Sequence, residues 1–492
     1  MKEGIKMKWI WACEGKPKAV VQILHGMAEH MGRYERMAKA LNEKGFVVVG
    51  RDHRGHGKDA QQLGYFAPEN GWQQLLEDAH DLTLEMKKAY PHTPYFLLGH
   101  SMGSFLAREY VLQYPKELDG LVLSGTGHYP WLITAVGRLV ARCMPKEKPS
   151  KLVDKLAFSA NNKAFAPART AFDWLSRDGE QVALYMADPL CGFVFTGQAY
   201  ADFFGGLMAL TDEKRLEKMP GDLPVYFLSG DRDPVGQMGK GVEKVAAAFR
   251  RAGMDDVTVK LYPGARHELF NETNKEEVDA DLAAYLGYAL KKTFGKRVLA
   301  RAKGFARISW QAEEKNRFHG EDGMGYRVDT PDEDYSESQY PCAWWHLGGN
   351  QGMPYAWGGW SDEEQLLAGL KAGKYAGNVP DGRPGVISRA CVGMDCSGLV
   401  SVCWQLPKKL STRDLGALCD EIPYDALMPG DILLKAGSHV MFYGGRKDDG
   451  HFEVVEATRY GGKVLCRERN ALELRENGYL AYRLKEENKT FA

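Results

Sequence analysis

The chain has 492 residues, of which 44% are hydrophobic and 26% charged, and this length predicts two or three domains rather than one hydrophobic core. Its 64 basic and 65 acidic side chains give a net charge near zero. This charge balance excludes the strong basic field of a nucleic-acid partner, and no stretch approaches the roughly 20 apolar residues of a membrane span.

Short apolar runs alternate with helical repeats through the first half of the chain. The runs are five to seven residues long and are bounded by Gly, Pro or polar residues: Ala19–His25, Phe46–Gly50, Tyr95–Gly99, Gly120–Ser124, Pro224–Ser229 and Val257–Tyr262. Helical periodicity follows at Arg33–Glu43, Trp72–Ala89 and Met102–Tyr114. This alternation predicts an α/β fold with a mostly parallel, doubly wound sheet covered by helices on both faces.

The connection between the fourth and fifth of these strands is far longer than a simple crossover requires. We expect the segment at about 127–218 to form a cap over the carboxyl ends of the strands, where open α/β sheets place their sites. Its apolar side chains either line a lipophilic pocket or form the core of the cap itself. They are Trp131, Leu132, Ile133, Trp174, Phe193, Val194 and Phe195.

The charge pattern changes beyond residue 292. Seven basic and no acidic residues fall between Lys291 and Arg307, whereas acidic residues dominate from Glu321 to Glu337. This switch predicts a charged linker at 293–344 between a first domain at 1–292 and a last domain at 345–492. The basic run is either a solvated helix face or a contact for an anionic surface.

The segment Gly99–Gly103 reads Gly-His-Ser-Met-Gly, and it lies between a predicted strand and a predicted helix. In this context G-x-S-x-G places a serine nucleophile on a sharp turn, so Ser101 is the candidate. The backbone N–H of Met102, at the helix start, points toward a substrate carbonyl. A second oxyanion donor is expected after the first core strand, where the N–H of Met27 lies.

A serine hydroxyl needs a base that is itself oriented by an acid. His267 follows the last predicted strand of this half, and Asp231 and Asp233 follow the strand before it. We favour Asp233, because it lies one turn beyond the end of its strand. Ser, Asp, His is the chain order expected for this fold.

The first half resembles the monoacylglycerol lipase and lysophospholipase branch of the α/β-hydrolases. The resemblance covers residues 1 to about 290 and is carried by His25–His30, by Asp52–Gly57, which is interpreted as a structural turn, and by the motif at Gly99–Gly103. It implies a capped α/β-hydrolase acting on a small acyl ester, with one acyl chain on a small alcohol. Peptidases and other esterases share these motifs.

A second constellation lies in the last third of the chain. Cys396 begins an apolar helical stretch, whose positive end lowers the pKa of a thiol. His439 opens a β-like run and could pair with this thiol, and Glu456 on the following strand could orient the imidazole. Inert packing of the cysteine is the simple alternative. Zinc binding is another, although the spacing lacks C-x₂₋₄-C pairs; its ligands would be Cys391, Cys396, Cys403 and Cys419.

This part resembles the NlpC-type cell-wall peptidases, a papain-like α+β family. The resemblance covers about 345–470, and Pro354–Gly359 fits the opening motif of the family. It implies a Cys396–His439 dyad that cleaves amide bonds of peptidoglycan stem peptides. Substrate-binding roles are implied for Asp395, Ser397 and Tyr355. The third catalytic position departs from the family, because many members carry His where this chain has Glu456.

We therefore expect a two-headed hydrolase without metal or cofactor. A serine esterase in the first half is joined to a cysteine amidase or peptidase acting on muropeptides or other amides. The alternatives for the last domain are a binding module without catalysis and an acyltransferase. Nine cysteines without a C-x-x-C pair, and an N-terminus without a secretion signal, favour the cytoplasm.

Overall fold

The structure is a computed structural model that describes residues 8–91, 93–335, 342–380, 387–447 and 449–489. The chain divides into two compact units. The first comprises the chain up to Leu290, and the second begins at Lys291. No helix in the described part of the chain is long and apolar enough to cross a membrane.

The first unit is built on a seven-stranded sheet with the order β1-β3-β2-β4-β5-β6-β7. All neighbouring strands are parallel except the edge pair of β1 and β3. The strands are β1 (Lys8–Trp11), β2 (Ala19–Leu24), β3 (Phe46–Arg51), β4 (Tyr95–His100), β5 (Gly120–Ser124), β6 (Val225–Gly230) and β7 (Val257–Tyr262). The six strands predicted from the sequence agree with β2 to β7 to within about one residue at each end, and the parallel α/β sheet is confirmed.

Helices cover both faces of this sheet, because nearly every residue of the central strands is apolar and buried. Val20 of β2 contacts the core shared with α2, α3 and α8, while the next residue, Val21, belongs to the core shared with α1 and α9. The helices are α1 (Glu35–Glu43), α2 (Gly71–Ala89), α3 (Met102–Gln113), α4 (Trp131–Arg142), α5 (Lys151–Phe158), α6 (Gly179–Ala187), α7 (Gly197–Ala209), α8 (Lys240–Arg251) and α9 (Lys275–Phe305).

The long connection between β5 and β6 contains the four helices α4 to α7. Its packing is local in part, since the contact between α4 and α7 is among the most extensive between two elements of the chain. The seven apolar residues considered from the sequence for this segment do not all have the same environment. Phe195 is fully buried in the core, Val194 packs against the core, and Trp131 and Leu132 are 56% and 67% exposed, whereas Ile133, Trp174 and Phe193 line a cavity described below.

The second unit is rich in β-structure. Its main sheet is antiparallel, with the order β14-β19-β15-β16-β17-β18. The strands are β8 (Ser309–Ala312), β9 (His319–Glu321), β10 (Arg327–Asp329), β11 (Gly348–Gln351), β12 (Tyr375–Ala376), β13 (Cys391–Val392), β14 (Cys419–Ile422), β15 (Ile432–Lys435), β16 (His439–Arg446), β17 (His451–Thr458), β18 (Lys463–Asn470) and β19 (Leu480–Leu484), and the helices are α10 (Glu363–Lys371), α11 (Cys396–Cys403) and α12 (Ala471–Glu476).

The segment 293–344, for which the sequence predicts a charged linker, contains regular secondary structure in its described residues, 293–335 and 342–344. It contains the last turns of α9 and the strands β8, β9 and β10, and it is part of the second unit. The basic run lies on α9 as far as Lys303, which favours the interpretation as a helix face. The sequence suggests a linker here because strands of only three or four residues are too short to produce a recognisable apolar pattern. The change in charge is then the one visible feature of the segment.

Candidate functional site

The turn between β4 and α3 carries Ser101. Its backbone has φ +51° and ψ −119°, in a left-handed region that side chains other than glycine rarely adopt. A Cβ on Gly103 would lie 1.9 Å from the backbone oxygen of Leu24, so the turn has no room for a side chain there. The close packing of the two glycines forces the strained conformation that presents the Ser101 hydroxyl.

His267 and Asp233 follow β7 and β6, two neighbouring parallel strands whose carboxyl ends meet at one edge of the sheet. The Nδ1 atom of His267 lies 3.0 Å from each carboxylate oxygen of Asp233, and both side chains are buried. Burial disfavours the imidazolium, but the Asp233 carboxylate outweighs burial and raises the pKa of His267 above its ordinary value. Nε2 is then the nitrogen that can accept a proton from a hydroxyl.

The other aspartate considered from the sequence has a different role. The carboxylate of Asp231 accepts a hydrogen bond of 2.7 Å from the backbone N–H of Gly264. This contact holds the start of the loop that carries His267. Asp233, by contrast, contacts the imidazole and also accepts a 2.9 Å hydrogen bond from the N–H of Val235, which fixes its orientation.

Met27 lies in the loop after β2, and Met102 is the first residue of α3, directly after the candidate nucleophile. Within the described part of the chain neither backbone N–H donates to a protein acceptor. Two unused N–H groups beside a serine can hold the oxyanion of a tetrahedral intermediate. The loop of Met27 is held by the N–H of Gly26, which donates to Glu29 Oε1 at 2.5 Å.

Ser101, His267, Met27 and Met102 all line one cavity of about 620 Å³. Most of the remaining wall is apolar and comes from the connection between β5 and β6, for which a cap is predicted. Its lining residues are Ile133, Val136, Val140, Leu156, Phe158, Trp174, Phe193, Phe203, Phe204 and Leu207. A pocket that is mostly apolar, with a few convergent polar groups at one end, binds a ligand of the same character. The cavity therefore offers room for an acyl chain next to the serine.

Two further residues contact the ring of His267, although the sequence did not assign either of them to the catalytic site. The ring of His100 lies 4.9 Å from that of His267, and burial, together with the neighbouring His267, lowers the pKa of His100 to about 3. The indole of Trp174, from the cap, lies 5.0 Å from the ring of His267. A histidine directly before the motif serine is the one sequence feature that could have indicated the first of these neighbours.

The second unit brings together the three residues of the other constellation. Cys396 is the first residue of α11 and is partly exposed, while His439 and Glu456 lie on the adjacent strands β16 and β17. Burial alone would lower the pKa of His439, but side-chain hydrogen bonds with Cys396 and Glu456 raise it to about 10. Nε2 of His439 contacts Glu456 Oε2, which leaves Nδ1 for the thiol.

Glu456 is fully buried and ionised. Burial raises the pKa of a carboxyl group, yet His439 and Arg467 outweigh this effect and lower the pKa of Glu456 to about 2. Arg467 Nε lies 2.5 Å and Arg469 Nη1 lies 3.3 Å from its Oε1 atom. These two arginines belong to no motif, and the sequence contains no signal that would have indicated them.

The residues proposed from the sequence to bind substrate in this unit are buried. The Asp395 carboxylate caps α11 by accepting the N–H of Gly398 at 2.7 Å, and it also accepts hydrogen bonds from the Ser397 hydroxyl and from Lys409. Tyr355 is 4% exposed. The side chains of Asp395 and Ser397 thus cap the helix and hydrogen-bond to each other, which indicates a structural contribution.

The zinc alternative finds no support in the geometry. Among the described residues, the one group of three side chains whose possible ligand atoms lie within 4.8 Å of one another is His30, Asp188 and Cys191. The four cysteines considered from the sequence do not form such a group. Cys403 and Cys419 are buried, and burial raises the pKa of each thiol to about 12.

Comparisons with known proteins identify the first unit. The family described as "Serine aminopeptidase, S33" matches residues 15–274. Monoacylglycerol lipase of Mycolicibacterium smegmatis is 30% identical over 293 residues, 58% of this chain and 93% of that protein. Monoglyceride lipase of Homo sapiens is 30% identical over 266 residues, 53% of this chain and 79% of that protein. The crystal structure of a thermostable carboxyl esterase from Bacillus coagulans in complex with glycerol has a TM-score of 0.54 at 33% identity, covering 57% of this chain and 93% of that one.

These matches agree with the geometry of the first unit, which has the parallel sheet, the strand-to-helix turn at Ser101 and the buried histidine–aspartate pair. The family match extends over more than half of the chain. The chain thus belongs to the α/β-hydrolase family described as serine aminopeptidase, S33, and residues 1 to about 290 are a serine hydrolase of the monoacylglycerol lipase type.

Proposed function

We propose that the first unit hydrolyses esters with a single acyl chain on a small alcohol, such as monoacylglycerols or lysophospholipids. The observation that carries this proposal is the 3.0 Å contact between His267 and Asp233 at the wall of an apolar cavity that Ser101 also lines. The names of the relatives, monoacylglycerol lipase and monoglyceride lipase, support the same substrate class.

In this proposal the Ser101 Oγ attacks the ester carbonyl carbon while Nε2 of His267 takes the hydroxyl proton. Asp233 stabilises the imidazolium, and the N–H groups of Met27 and Met102 hold the developing oxyanion. The imidazolium then protonates the leaving alcohol, so an acyl-serine remains. Water, deprotonated by His267, attacks the acyl group. The imidazolium then returns the proton to Ser101 Oγ as the acyl–oxygen bond breaks, which releases the fatty acid and the free serine.

The test is release of glycerol from 1-monooleoylglycerol, together with labelling by a fluorophosphonate probe. We expect Ser101→Ala to lose both, with a fall in kcat of up to about a millionfold. Cys396→Ala is the matched control and should retain both, because its thiol belongs to the other unit. Normal turnover by Ser101→Ala would disprove the assignment of the nucleophile.

We also propose that the second unit is a papain-like, NlpC-type hydrolase of amide bonds within peptides, including muropeptides. The observation in favour is that His439 contacts Glu456 and interacts with the thiol of Cys396, which lies at the start of a helix. The Cys396 thiolate would attack the amide carbonyl, and His439 would protonate the leaving amine. Because the reaction needs a free thiol, we propose the reducing cytoplasm as its compartment.

Alkylation by iodoacetamide tests whether Cys396 is activated. We expect Cys396 to react faster than the exposed Cys143 of the same chain, and His439→Gln to remove the difference. Equal rates at the two thiols would favour the alternative of a binding module without catalysis. Adding an amine acceptor to a peptide substrate distinguishes the acyltransferase alternative, which predicts an N-acylated product in place of the free acid.

A further inference from the structure

The loop that carries Met27 is held by a buried glutamate. Glu29 is 3% exposed, and its Oε1 atom accepts hydrogen bonds from the backbone N–H of Gly26 at 2.5 Å and from the Tyr34 hydroxyl at 2.8 Å. A Cβ on Gly26 would lie 2.6 Å from the same oxygen, so the carboxylate packs directly against the backbone. Because Gly26 and Met27 are adjacent, a shift of this carboxylate would displace the candidate oxyanion donor.

A second buried glutamate directly follows the candidate base. Glu268 is 5% exposed, and its backbone N–H donates to the backbone oxygen of Leu175 at 2.8 Å. Burial alone would raise the pKa of its carboxyl group, but Arg33 outweighs burial and lowers the pKa of Glu268 to about 2. The side chain is thus ionised. A displacement of Glu268 would move the adjoining backbone of His267.

One arginine joins the two glutamates. Nη1 of Arg33 donates to Glu29 Oε2 at 2.8 Å and to Glu268 Oε1 at 2.7 Å, and Nη2 donates to Glu268 Oε2 at 2.6 Å. The bidentate contact with Glu268 fixes the plane of the guanidinium group as well as its distance. The Arg33 side chain is 11% exposed, and its Cζ atom lies 4.8 Å from the centre of the Tyr185 ring.

The bridge connects loops that the sheet does not connect. Glu29 follows β2 and Glu268 follows β7, and these strands are separated in the sheet by β4, β5 and β6. The hydrogen bonds of the sheet therefore do not fix the distance between the two loops. The Glu29–Arg33–Glu268 bridge fixes it by side chains alone.

The charges of the bridge make it sensitive to loss of the arginine. Among the described residues, Arg33 is the one arginine or lysine that pairs with either carboxylate. Without it, two neighbouring buried carboxylates would repel each other and draw in water. The loops that carry them would then move apart. Burial lowers the pKa of His267, whereas Asp233, and after it Glu268 and Glu29, raise it.

We propose that Arg33 is a positioning residue of the serine site, which acts through Glu29 and Glu268 to hold the N–H of Met27 and the imidazole of His267 at their places around Ser101. This inference rests on the ester hydrolysis proposed for the first unit. The competing role for the bridge is to stabilise the fold without affecting the reaction. The two roles differ because only the first makes the loss specific for the transition state.

Two ketones with the same alkyl chain serve as probes. With a trifluoromethyl ketone, Ser101 Oγ forms a bond to the carbonyl carbon, the π electrons move to the oxygen, and the hydroxyl proton moves to Nε2 of His267. The product carries an oxyanion that needs the same donors as the tetrahedral intermediate. The matching methyl ketone does not add to the serine to a comparable extent, so it reports binding in the cavity alone.

Inhibition constants of both ketones are measured against hydrolysis of p-nitrophenyl butyrate. We expect Arg33→Met to raise the constant of the trifluoromethyl ketone by about a hundredfold, in proportion to its loss of kcat/KM. The constant of the methyl ketone should change by less than about twofold. Arg33→Lys should give an intermediate loss, because an ammonium group keeps the charge but lacks the planar fork.

Arg215→Met is the matched control. Nη1 of Arg215 donates to Glu109 Oε2 at 2.9 Å and Nη2 contacts Oε1, so this arginine also forms a fork on a buried glutamate of the first unit. We expect this variant to lose stability toward urea as Arg33→Met does, while both ketones keep their inhibition constants. The comparison separates a loss of stability from a loss of positioning.

The outcomes decide between the two roles. If both ketones weaken equally in Arg33→Met, or if neither weakens, the positioning role is overturned. If Arg33→Met does not fold, Arg33→Lys decides in the same way, and an unchanged constant for the trifluoromethyl ketone rejects the proposal. If the wild type hydrolyses p-nitrophenyl butyrate but not 1-monooleoylglycerol, the proposed substrate class is wrong, whereas the two ketones still test the bridge.

Discussion

The backbone N–H of Ala28 donates a hydrogen bond of 3.2 Å to Nε2 of His56. Ala28 directly follows Met27 and has φ +53°, so this hydrogen bond helps to hold a strained residue next to a candidate oxyanion donor. Nδ1 of His56 contacts the backbone oxygen of Arg54 at 3.0 Å. A segment interpreted from the sequence as a structural turn is thus a support of the candidate catalytic loop.

His56→Leu is therefore expected to lower kcat for a short p-nitrophenyl ester by about tenfold, with little change in KM. Loss of an oxyanion donor itself costs about a hundredfold or more, and a displaced donor costs less. The control is His80→Leu, because His80 stacks on Tyr114 of the same unit. A rise in KM at unchanged kcat would show that His56 affects substrate binding instead.

The two aspartates after β6 give a second prediction. Asp233→Asn should lower kcat by about ten-thousandfold, because an amide neither holds the required tautomer of His267 nor stabilises its cation. Asp231→Asn should be mild, since an amide oxygen can still accept the hydrogen bond from Gly264. Steady-state ester hydrolysis by the two variants checks the ranking, and the reverse order would reject Asp233 as the orienting acid.

The cap cavity gives a third prediction. Val140 lines the cavity, whereas its neighbour Leu139 is 64% exposed. Val140→Trp should shorten the acyl chain that fits, and excluding three methylenes at about 0.8 kcal/mol each corresponds to roughly fiftyfold in kcat/KM. The measurement compares C4 with C16 monoacylglycerols, and Leu139→Trp is the matched control. Equal losses on both chain lengths would mean that this wall does not contact the acyl chain.

A fourth prediction concerns pH and the second unit. The pKa of His439 is about 10 in the folded chain and 6.5 ordinarily, so folding favours the imidazolium. Its stabilisation is fully present below pH 6.5 and is lost as the pH rises to about 10. The free energy of unfolding of the wild type, minus that of His439→Gln, should therefore shrink over this range in urea titrations.

Cys396→Ala provides the control for this titration. It removes one of the two hydrogen bonds that raise the pKa of His439, so the loss of stability should move to lower pH. If the difference in free energy of unfolding between the wild type and His439→Gln grew with pH, it would contradict the ion pair of His439 with Glu456.

The sequence predicts β2 to β7 well because a parallel strand buried on both faces is a continuous apolar run. The edge strand β1 escapes prediction, since Lys8–Trp11 alternates exposed with half-buried residues in a charged segment. In the first site the motifs indicate Ser101 and His267. Their proximity in space follows from the order of the parallel strands that precede them. Contacts between distant segments, such as that of His56 with Ala28, have no local pattern and cannot be predicted in this way.

The second unit shows the same limit. Its motifs indicate Cys396 and His439, but Asp395 is a helix cap whose charge is paired with Lys409, which is a property of the folded chain. Likewise, Arg467 and Arg469 lie on β18, where charges of opposite sign alternate in a pattern that is typical of a solvent-exposed edge strand. Only the pairing of β17 with β18 brings them to Glu456.

The positive φ of Ser101 has a consequence for the substitutions that this position can accept during evolution. Because glycine adopts this conformation without strain, Ser101→Gly is expected to stabilise the fold while removing the hydroxyl. A single substitution at this position can thus raise the stability of the fold while it abolishes the activity of the serine site. A lineage released from the need for that chemistry would be expected to gain stability by replacing the serine with glycine.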